Sequence, residues 1–320
     1  MNAGRRLLRG LASRQNLPIA AAAALLAAAV WLPPVTLQRA TFQYLVTFDL
    51  TLSMEVEDQV LAGAPATRLA YARAGAREAL RRLPCGSRVG WAVFADYRVM
   101  PLLLPVEVCA HYDALLASLE QIDARMRWAN ASNIGKGTTW VLRAARAVDP
   151  DTRVVFFTDG QEAPPLRNRD VVPPMQDITP GEVGGWLIGV GGEVPARIPR
   201  VDHDGRRLGW WGADEVVQRF GPGTPGTAHE HLSELREPHL QALAKLLGLG
   251  YRRLSAPGAA ADAMLDPALA RPQPVATDLR WLPALAALLL LGLRFVPDAV
   301  ATRLLAAASR LRSGAAPAHR

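Results

Sequence analysis

The chain has 320 residues, of which 50% are hydrophobic, and a formal net charge of +7. That length allows one large domain or two small ones. The positive charge lies at the two ends: residues 1–16 carry four arginines and no acid, and residues 294–320 carry five arginines against one aspartate. Each end contributes +4, which leaves about −1 for the middle of the chain. This distribution argues against a nucleic-acid-binding face.

Each basic end adjoins an apolar segment. Residues 17–33 contain no charged side chain, and the second segment, 280–297, is fully apolar from 281 to 293. Both fall somewhat short of the ~20 residues of a spanning helix, but flanking residues and a snorkelling Arg294 could extend them. We predict two transmembrane helices, with residues 1–16 and 298–320 as basic cytoplasmic tails. A core helix is the alternative for each segment, and a cleavable signal peptide is a further alternative for the first.

The first chemically informative stretch is a strand that ends in oxygen-bearing side chains. Residues 44–48 (YLVTF) are typical of a buried parallel strand. Asp49, Thr51 and Ser53 follow at alternate positions, where α/β sheets place their ligand sites. A carboxylate and two hydroxyls suit a small, hard cation. An ordinary strand-to-turn transition would also account for these residue types.

This motif resembles the D-x-S-x-S motif of von Willebrand factor A (VWA) domains. Their metal-ion-dependent adhesion site holds Mg²⁺ and leaves one coordination position for a carboxylate of a partner protein. In this sequence Thr51 stands where the first serine is usual, which keeps the hydroxyl and adds a methyl group. The resemblance implies an α/β fold with a doubly wound, mostly parallel sheet.

The resemblance extends to two later loops. Gly137-Thr138 corresponds to a Gly-Thr of the family whose threonine gives the metal another hydroxyl, with Thr139 as the alternative. Asp159 follows a second apolar strand, 153–157, and corresponds to an aspartate that acts through a metal-bound water. The implied metal site is therefore Asp49, Thr51, Ser53, Thr138 and Asp159, holding Mg²⁺, with Ca²⁺ or Mn²⁺ possible.

The Gly135-Lys136-Gly137-Thr138 run is not a nucleotide-binding loop. The Walker pattern requires a glycine where Asn130 stands and a serine or threonine directly after the lysine, where Gly137 stands. We therefore expect no nucleotide.

The two cysteines indicate the compartment. Residues 89–95 and 99–104 are typical of a hairpin around a three-residue loop, 96–98. Extending this pairing places Cys85 opposite Cys109, so a disulfide is expected, as in an oxidising periplasm. Two unrelated buried thiols are the alternative.

Helical patterns complete a domain over 40–255. Thr67 is a favourable N-cap for a helix that ends near Leu83. Further amphipathic segments lie at 110–126, 141–148 and 231–248, followed by a last strand at 251–255.

Two segments of this region are irregular in composition. Residues 191–230 are rich in Gly, Pro and Trp and are predicted as an insertion, in which Trp210 and Trp211 either contact a partner or cover the sheet edge. Residues 256–279 are predicted as a linker.

These features favour metal-dependent protein binding over catalysis, because no nucleophile–base pair occurs within a shared motif. The expected location is a bacterial inner membrane, with the VWA domain in the periplasm. A hydrolase that uses Asp49 and Asp159 around a catalytic metal is a rival interpretation. A structural membrane protein with a degenerate, empty site is another.

The layout resembles one subgroup of VWA proteins in particular. Residues 157–165 (FTDGQEAPP), the Trp-Gly insertion and the two apolar ends are similar to the MxaL-type proteins of the methanol oxidation system. That resemblance implies a role in assembly or metal insertion of periplasmic methanol dehydrogenase. The alternative is a Bat-type (aerotolerance) VWA protein that acts with a MoxR-like ATPase chaperone.

Overall fold

The computed structural model describes residues 17–166, 178–202, 204–219 and 229–294. The predicted tails, the last residues of the second predicted transmembrane segment and part of the predicted insertion lie outside these ranges. The chain divides into two compact units. Gln38–Gln273 forms the larger unit, and the residues before and after it belong to the other.

The described residues form seven helices and fourteen strands, which are labelled in chain order. They are α1 (Leu17–Trp31), β1 (Val35–Thr41), β2 (Gln43–Asp49), β3 (Gln59–Leu61), β4 (Ala64–Ala66), α2 (Arg68–Arg82), β5 (Arg88–Ala95), β6 (Arg98–Glu107), α3 (Tyr112–Glu120), α4 (Ile134–Val148), β7 (Arg153–Thr158), β8 (Gly185–Gly189), β9 (Ala196–Arg197), β10 (Pro199–Val201), β11 (Arg207–Trp210), β12 (Leu232–Ser233), α5 (Glu237–Leu247), β13 (Gly250–Arg253), α6 (Gly258–Met264), β14 (Arg271–Thr277) and α7 (Trp281–Arg294). Short 3₁₀ turns lie at Leu52–Glu55, Ala124–Met126 and Pro267–Leu269.

The two apolar segments form helices that pack against each other, α1 with 15 residues and α7 with 14. Within the described residues, no helix has both the length and the apolar character needed to cross a membrane. The prediction of two transmembrane helices is therefore not confirmed by these residues.

The segment predicted as a linker, 256–279, instead contains α6, a 3₁₀ turn and β14. Three alanines and Met264 of α6 are buried, and α6 packs on α2. β14 pairs with β1. The Ala- and Pro-rich composition indicated a stalk, but small side chains also let two helices approach closely.

The central sheet has six strands in the order β13–β8–β7–β2–β5–β6. Neighbouring strands from β13 to β5 are parallel, and β6 is antiparallel at one edge. From β2 the chain proceeds to β5 on one side, and later through β7, β8 and β13 on the other. The fold is mixed α/β with a mostly parallel central sheet, as predicted.

Helices cover both faces of this sheet. Tyr44, Val46 and Phe48 of β2 belong to one hydrophobic core with α2, α3 and α6. Leu45 belongs to the second core, with α4 and α5. Because successive side chains of a strand point to opposite faces, a continuous apolar run is what a strand between two helical layers requires.

β5 and β6 form the predicted hairpin, but its turn is shorter. Ala95 pairs with Arg98 and not with Val99, so the loop is Asp96-Tyr97. Asp96 has a φ of 61°, in the left-handed region that aspartate tolerates better than most residues.

The disulfide expected at the open end of this hairpin is present. The ladder shifts register twice between Val89 and Ala92, so Arg88 pairs with Glu107, one residue from the partner that the predicted register gives it. Cys85 and Cys109 are bonded, with their Cα atoms 5.2 Å apart. The prediction of this pairing is confirmed, although the register from which it was extrapolated was wrong at the turn.

α4 begins at Ile134, well before the predicted start at Val141. Asn133 is its N-cap and accepts a hydrogen bond from an N–H of the first turn. Gly137 therefore lies inside the helix, where a Cβ would collide with the ring of Phe94. The glycines that indicated a loop instead permit close contact between helix and sheet.

The predicted insertion, 191–230, contains secondary structure of its own. β10 and β11 form an antiparallel hairpin within it. β9 near its start pairs with β12 directly after its end. We call the β9–β12 pair the neck of the insertion.

Candidate metal centre

The candidate site lies at the carboxyl ends of two neighbouring strands. Asp49 is the last residue of β2. Thr158 is the last residue of β7, and Asp159 follows it. The strands β5 and β7 lie on opposite sides of β2, so the direction of winding reverses there. Open α/β sheets bind ligands at such a switch point.

Both oxygens of Asp49 accept hydrogen bonds from hydroxyl groups. Thr51 Oγ1 donates to Asp49 Oδ1 over 2.6 Å, and Thr158 Oγ1 donates to Asp49 Oδ2 over 2.7 Å. The hydroxyl oxygens of Thr51 and Ser53 are 3.3 Å apart. Because the proton of Thr51 points at the carboxylate, the lone pairs of its oxygen remain available to a cation.

The surroundings of Asp49 disfavour its charged form. Burial and, second, the neighbouring charge of Asp159 raise the pKa of Asp49 to about 7. Hydrogen bonds from Thr51 and Thr158 act in the opposite direction. A bound cation would favour the charged form of Asp49.

A buried arginine compensates the second carboxylate. Arg68 Nη1 donates to Asp159 Oδ2 over 2.7 Å, and Arg68 Nε and Nη2 donate to Asp58. The side chain of Arg68 is 0% exposed. Ser233 of the neck donates to Asp159 Oδ2 over 3.1 Å and accepts from Arg68 Nη2 through its carbonyl. Asp159 is thus held by α2 and by the base of the insertion together.

The structure does not bring Thr138 to this group. Thr138 lies within α4, and its hydroxyl donates to the carbonyl of Ile134 over 2.8 Å. Thr139 donates in the same way to a carbonyl one turn earlier. Neither threonine lines the cavity that opens above Thr51 and Ser53. The roles predicted for Thr138 and Thr139 therefore have no support from their positions.

Ser132 occupies the place beside Thr51 and Ser53 that was predicted for Thr138. It lines the cavity together with Thr51 and Ser53. The residue is 2% exposed, and its Oγ has no hydrogen-bond partner within the described part of the chain. Its backbone is fixed by two hydrogen bonds of 2.7 Å to Ala163. A buried hydroxyl without a protein partner leaves its oxygen open to a water or an ion.

The signal for Ser132 was present in the sequence. Asparagine is among the best N-cap residues, so Asn133 marks a helix start at Ile134. With that start, Thr138 falls inside the helix and Ser132 becomes the loop hydroxyl. The buried Arg68 had no comparable signal, because an arginine in the first turn of an amphipathic helix is normally exposed.

Glu162 positions the loop that carries Ser132. Its carboxylate accepts from the N–H groups of Ile134 and Gly135, each over 3.1 Å. Its Oε1 also lies 3.1 Å from His239 Nε2 of α5. A carboxylate at the first turn is favourable for the N-terminus of α4, and it ties the loop after β7 to the start of this helix.

The donor set fits a small divalent cation. Adjacent ligand oxygens around octahedral Mg²⁺ are about 3 Å apart, given Mg–O distances of roughly 2.1 Å. The hydroxyl oxygens of Thr51 and Ser53 are 3.3 Å apart, close to that value. The unpartnered Ser132 hydroxyl adds one more oxygen of the kind that Mg²⁺ prefers.

The two tryptophans predicted as a partner contact have different environments. Trp210 is 43% exposed and stacks under the guanidinium of Arg207, 4.9 Å from the ring centroid. Trp211 lines the same cavity as Ser132. Its ring lies under Arg200, 5.2 Å from the guanidinium carbon.

No family model matches the chain, and no curated protein matches it. Among solved structures, it is similar to an aerotolerance-related membrane protein from Bacteroides fragilis NCTC 9343, with 19% identity, 70% of this chain and 96% of that chain covered, and a TM-score of 0.47. It is also similar to BatB, a conserved hypothetical protein from Bacteroides thetaiotaomicron. The identity is 19%, the match covers 71% of this chain and 98% of that chain, and the TM-score is 0.48. A von Willebrand factor type A structure from Catenulispora acidiphila aligns with 12% identity over 80% of this chain and 50% of that chain, with a TM-score of 0.35. These values are too low to assign the chain to a family.

Proposed function

We propose that this chain is a VWA-type, membrane-anchored periplasmic protein that binds a protein partner through Mg²⁺ held beside Asp49. One observation carries the proposal. The buried hydroxyl of Ser132 has no partner within the described residues, and it lines one cavity with the hydroxyls of Thr51 and Ser53. Three hydroxyls that line one cavity, two of them beside the buried carboxylate of Asp49, offer the oxygen ligands that a hard cation prefers.

Each residue has a distinct role in this proposal. Thr51, Ser53 and Ser132 bind the cation through their hydroxyl oxygens, and Asp49 orients the hydroxyl of Thr51. Asp159, paired with Arg68, acts through water. When bound, the cation supplies a coordination position for a carboxylate of the partner. Ca²⁺ and Mn²⁺ are the alternative metals.

Binding is a better account of this site than hydrolysis. A catalytic carboxylate must be able to take a proton from substrate or water. Both oxygens of Asp49 already accept from hydroxyls. Asp159 accepts from Arg68 on one oxygen and from the Gln161 N–H on the other. These engagements suit carboxylates that organise a cation site.

The cellular context is proposed on separate grounds. The Cys85–Cys109 disulfide favours an oxidising compartment such as the periplasm. The apolar helices at both ends, next to basic tails, favour a membrane anchor. The motif resemblance over 157–165 favours methanol dehydrogenase or its assembly factors as the partner. A MoxR-like ATPase system is the alternative.

The metal site is tested by isothermal titration calorimetry, in which Mg²⁺ is added to the full chain in detergent. We expect Asp49→Ala and Ser132→Ala to abolish or strongly weaken binding. Thr138→Val is the matched control, because it also removes one buried hydroxyl and is expected to retain wild-type affinity. Loss of binding in Thr138→Val together with wild-type binding in Ser132→Ala would contradict the assignment.

The partner is tested by capture from native periplasmic and membrane extract, with Mg²⁺ or with EDTA. We expect a protein that is retained by the wild type in Mg²⁺ and released by EDTA or by Asp49→Ala. Recovery of a dehydrogenase or of an ATPase system would decide between the two partners. Retention that is indifferent to both metal and Asp49 would refute the adhesion mechanism.

A further inference from the structure

The candidate metal centre opens into a cavity of about 300 Å³. Thr51, Ser53 and Ser132 line it on the side of the sheet. The insertion lines it on another side, through Ile198, Trp211, Val216 and Val217. Most of its surface is therefore apolar, while one part of it carries the oxygen ligands.

Three buried polar atoms at this cavity have no hydrogen-bond partner within the described residues. They are Ser132 Oγ, Gln161 Oε1 and Trp211 Nε1. Gln161 is 4% exposed, and its Nε2 donates to the carbonyl of Leu232 in the neck, which leaves Oε1 as the free acceptor. An indole N–H can only donate. Ser132 is accounted for by the cation, so one acceptor and one donor remain.

The remaining pair defines the ligand's chemistry. Gln161 Oε1 can accept a hydrogen bond from an N–H or an O–H, and Trp211 Nε1 can donate one to an oxygen such as that of a carbonyl or a carboxylate. A peptide backbone supplies both groups at short spacing, whereas a hydrocarbon supplies neither and a free anion lacks the N–H. The apolar walls add a place for a hydrophobic side chain.

The acidic residues of the cavity wall restrict the ligand further. Glu215 bonds to Arg200, Glu230 lies 3.6 Å from Arg219, and Glu162 accepts from the start of α4. These paired carboxylates offer no positive charge to an acidic ligand, so the proposed cation is the group that would receive its carboxylate. Acidic peptides should therefore enter only with the metal bound.

We propose that this cavity binds an extended peptide segment of the partner in which the acidic residue has a large apolar neighbour. The inference rests on the proposed function for the contact between carboxylate and metal. The apolar neighbour fills the space between Ile198, Val216 and Val217. Trp211 and Gln161 bind the peptide backbone. The insertion thereby determines which acidic segments the metal site accepts.

The probe is an array of short synthetic peptides with a central glutamate and flanking positions varied through Leu, Phe, Lys and Gly. The full chain in detergent is applied with Mg²⁺ or with EDTA, and affinities of retained peptides are measured by fluorescence polarisation. We expect retention only in Mg²⁺, only with the central glutamate, and with a preference for Leu or Phe at a fixed flanking position.

Two variants test the cavity itself. Trp211→Phe keeps an aromatic ring but removes the N–H, and we expect it to weaken binding of the preferred peptide about tenfold. Val217→Asp places a charge at the cavity, and we expect it to abolish the apolar preference. Val194→Asp is the matched control, because Val194 is an exposed valine of the same insertion that does not line the cavity.

The outcomes separate the two proposals. Mg²⁺-dependent binding of glutamate peptides without flanking preference, unchanged by Trp211→Phe and Val217→Asp, would overturn this inference and leave the metal site standing. Binding of apolar peptides regardless of Mg²⁺ and of glutamate would support the cavity and refute the metal contact. Retention of no peptide by the wild type would overturn the inference.

Discussion

The position of Asp49 makes it sensitive to pH near neutrality. Its ordinary pKa of 3.8 is raised to about 7, because the carboxyl is buried and lies near Asp159. Between these two values the folded chain keeps a proton on Asp49 that the unfolded chain has released. Raising the pH therefore stabilises the unfolded state relative to the folded state.

We expect the metal-free protein in EDTA to lose unfolding free energy as the pH rises from about 4 to about 7, and to change little from this group above that range. Urea denaturation at several pH values measures this. In Asp49→Asn the unfolding free energy should not fall with pH in this range, because asparagine does not titrate. Near pH 7.5, Mg²⁺ should restore the unfolding free energy of the wild type but not that of Asp49→Asn. Parallel slopes in wild type and Asp49→Asn would refute the prediction.

Arg68 is buried and links the side chains of Asp58, Asp159 and Ser233. Removing one partner of a buried ion pair leaves an uncompensated charge, which is destabilising by roughly 3–5 kcal/mol. We expect this loss in Arg68→Met, measured by urea denaturation, because Asp159 and Asp58 both lose the positive charge that compensates them.

Arg77→Met is the control for that variant. Arg77 pairs with Glu120 on the surface, with both side chains largely exposed, and such pairs contribute about 1 kcal/mol or less. Equal losses in the two variants would show that burial of the Arg68 network does not determine its stability. Mg²⁺ should also stabilise Arg68→Met more than the wild type, because the cation would replace part of the missing positive charge.

Among the elements, α4 depends on one glycine. A Cβ at Gly137 would collide with the ring of Phe94, and overpacking of this kind costs typically 1–3 kcal/mol. We expect Gly137→Ala to lower stability by that amount. It should also weaken Mg²⁺ binding, because Ser132 directly precedes Asn133, the N-cap of α4. Thermal denaturation and Mg²⁺ titration measure the two effects.

Gly258→Ala provides the comparison for α4. Gly258 begins α6, and a Cβ there would meet only Arg82 Nη1, at 3.9 Å. Alanine is also the better helix former, so this change should be neutral or slightly stabilising. A neutral Gly137→Ala would show that α4 can shift away from the sheet without loss.

The elements differ in how far the sequence could predict them. β2 and β7 were predictable because a strand between two helical layers must be apolar on both faces. The helix α2 was predictable from its cap, since Thr67 accepts from Ala70 as expected. The start of α4 was predicted too late because a glycine such as Gly137 can indicate either a loop or a close contact between a helix and a sheet. Only the tertiary structure distinguishes the two.

The candidate site was predictable in part for a related reason. Asp49, Thr51 and Ser53 lie within one strand and its following turn, so local sequence brings them together. Ser132 is brought to them by pairing with Ala163, and Trp211 by the fold of the insertion. Contacts between distant residues leave no periodic pattern in the sequence. The cavity therefore could not be predicted.

At the scale of the whole molecule, the membrane anchor remains a prediction. We expect the full chain, expressed in a bacterial host, to stay in the membrane pellet after alkaline carbonate extraction. Replacing the exposed Leu288 and Leu289 of α7 by arginine should release it, because charge within a spanning helix is costly. Val60→Arg in β3, equally exposed but outside the apolar helices, should not. Release of the wild type into the supernatant would refute the anchor.

The neck has a consequence for how this molecule can change over evolutionary time. Leu232 pairs with Arg197, and Ser233 with Ala196, so the insertion leaves and rejoins the domain at adjacent points. A segment with adjacent ends can be lengthened, shortened or exchanged at little entropic cost to the rest of the fold. The strands and hydroxyls of the proposed metal centre lie outside this exchangeable loop. Partner choice could thus diversify while the cation chemistry stays the same.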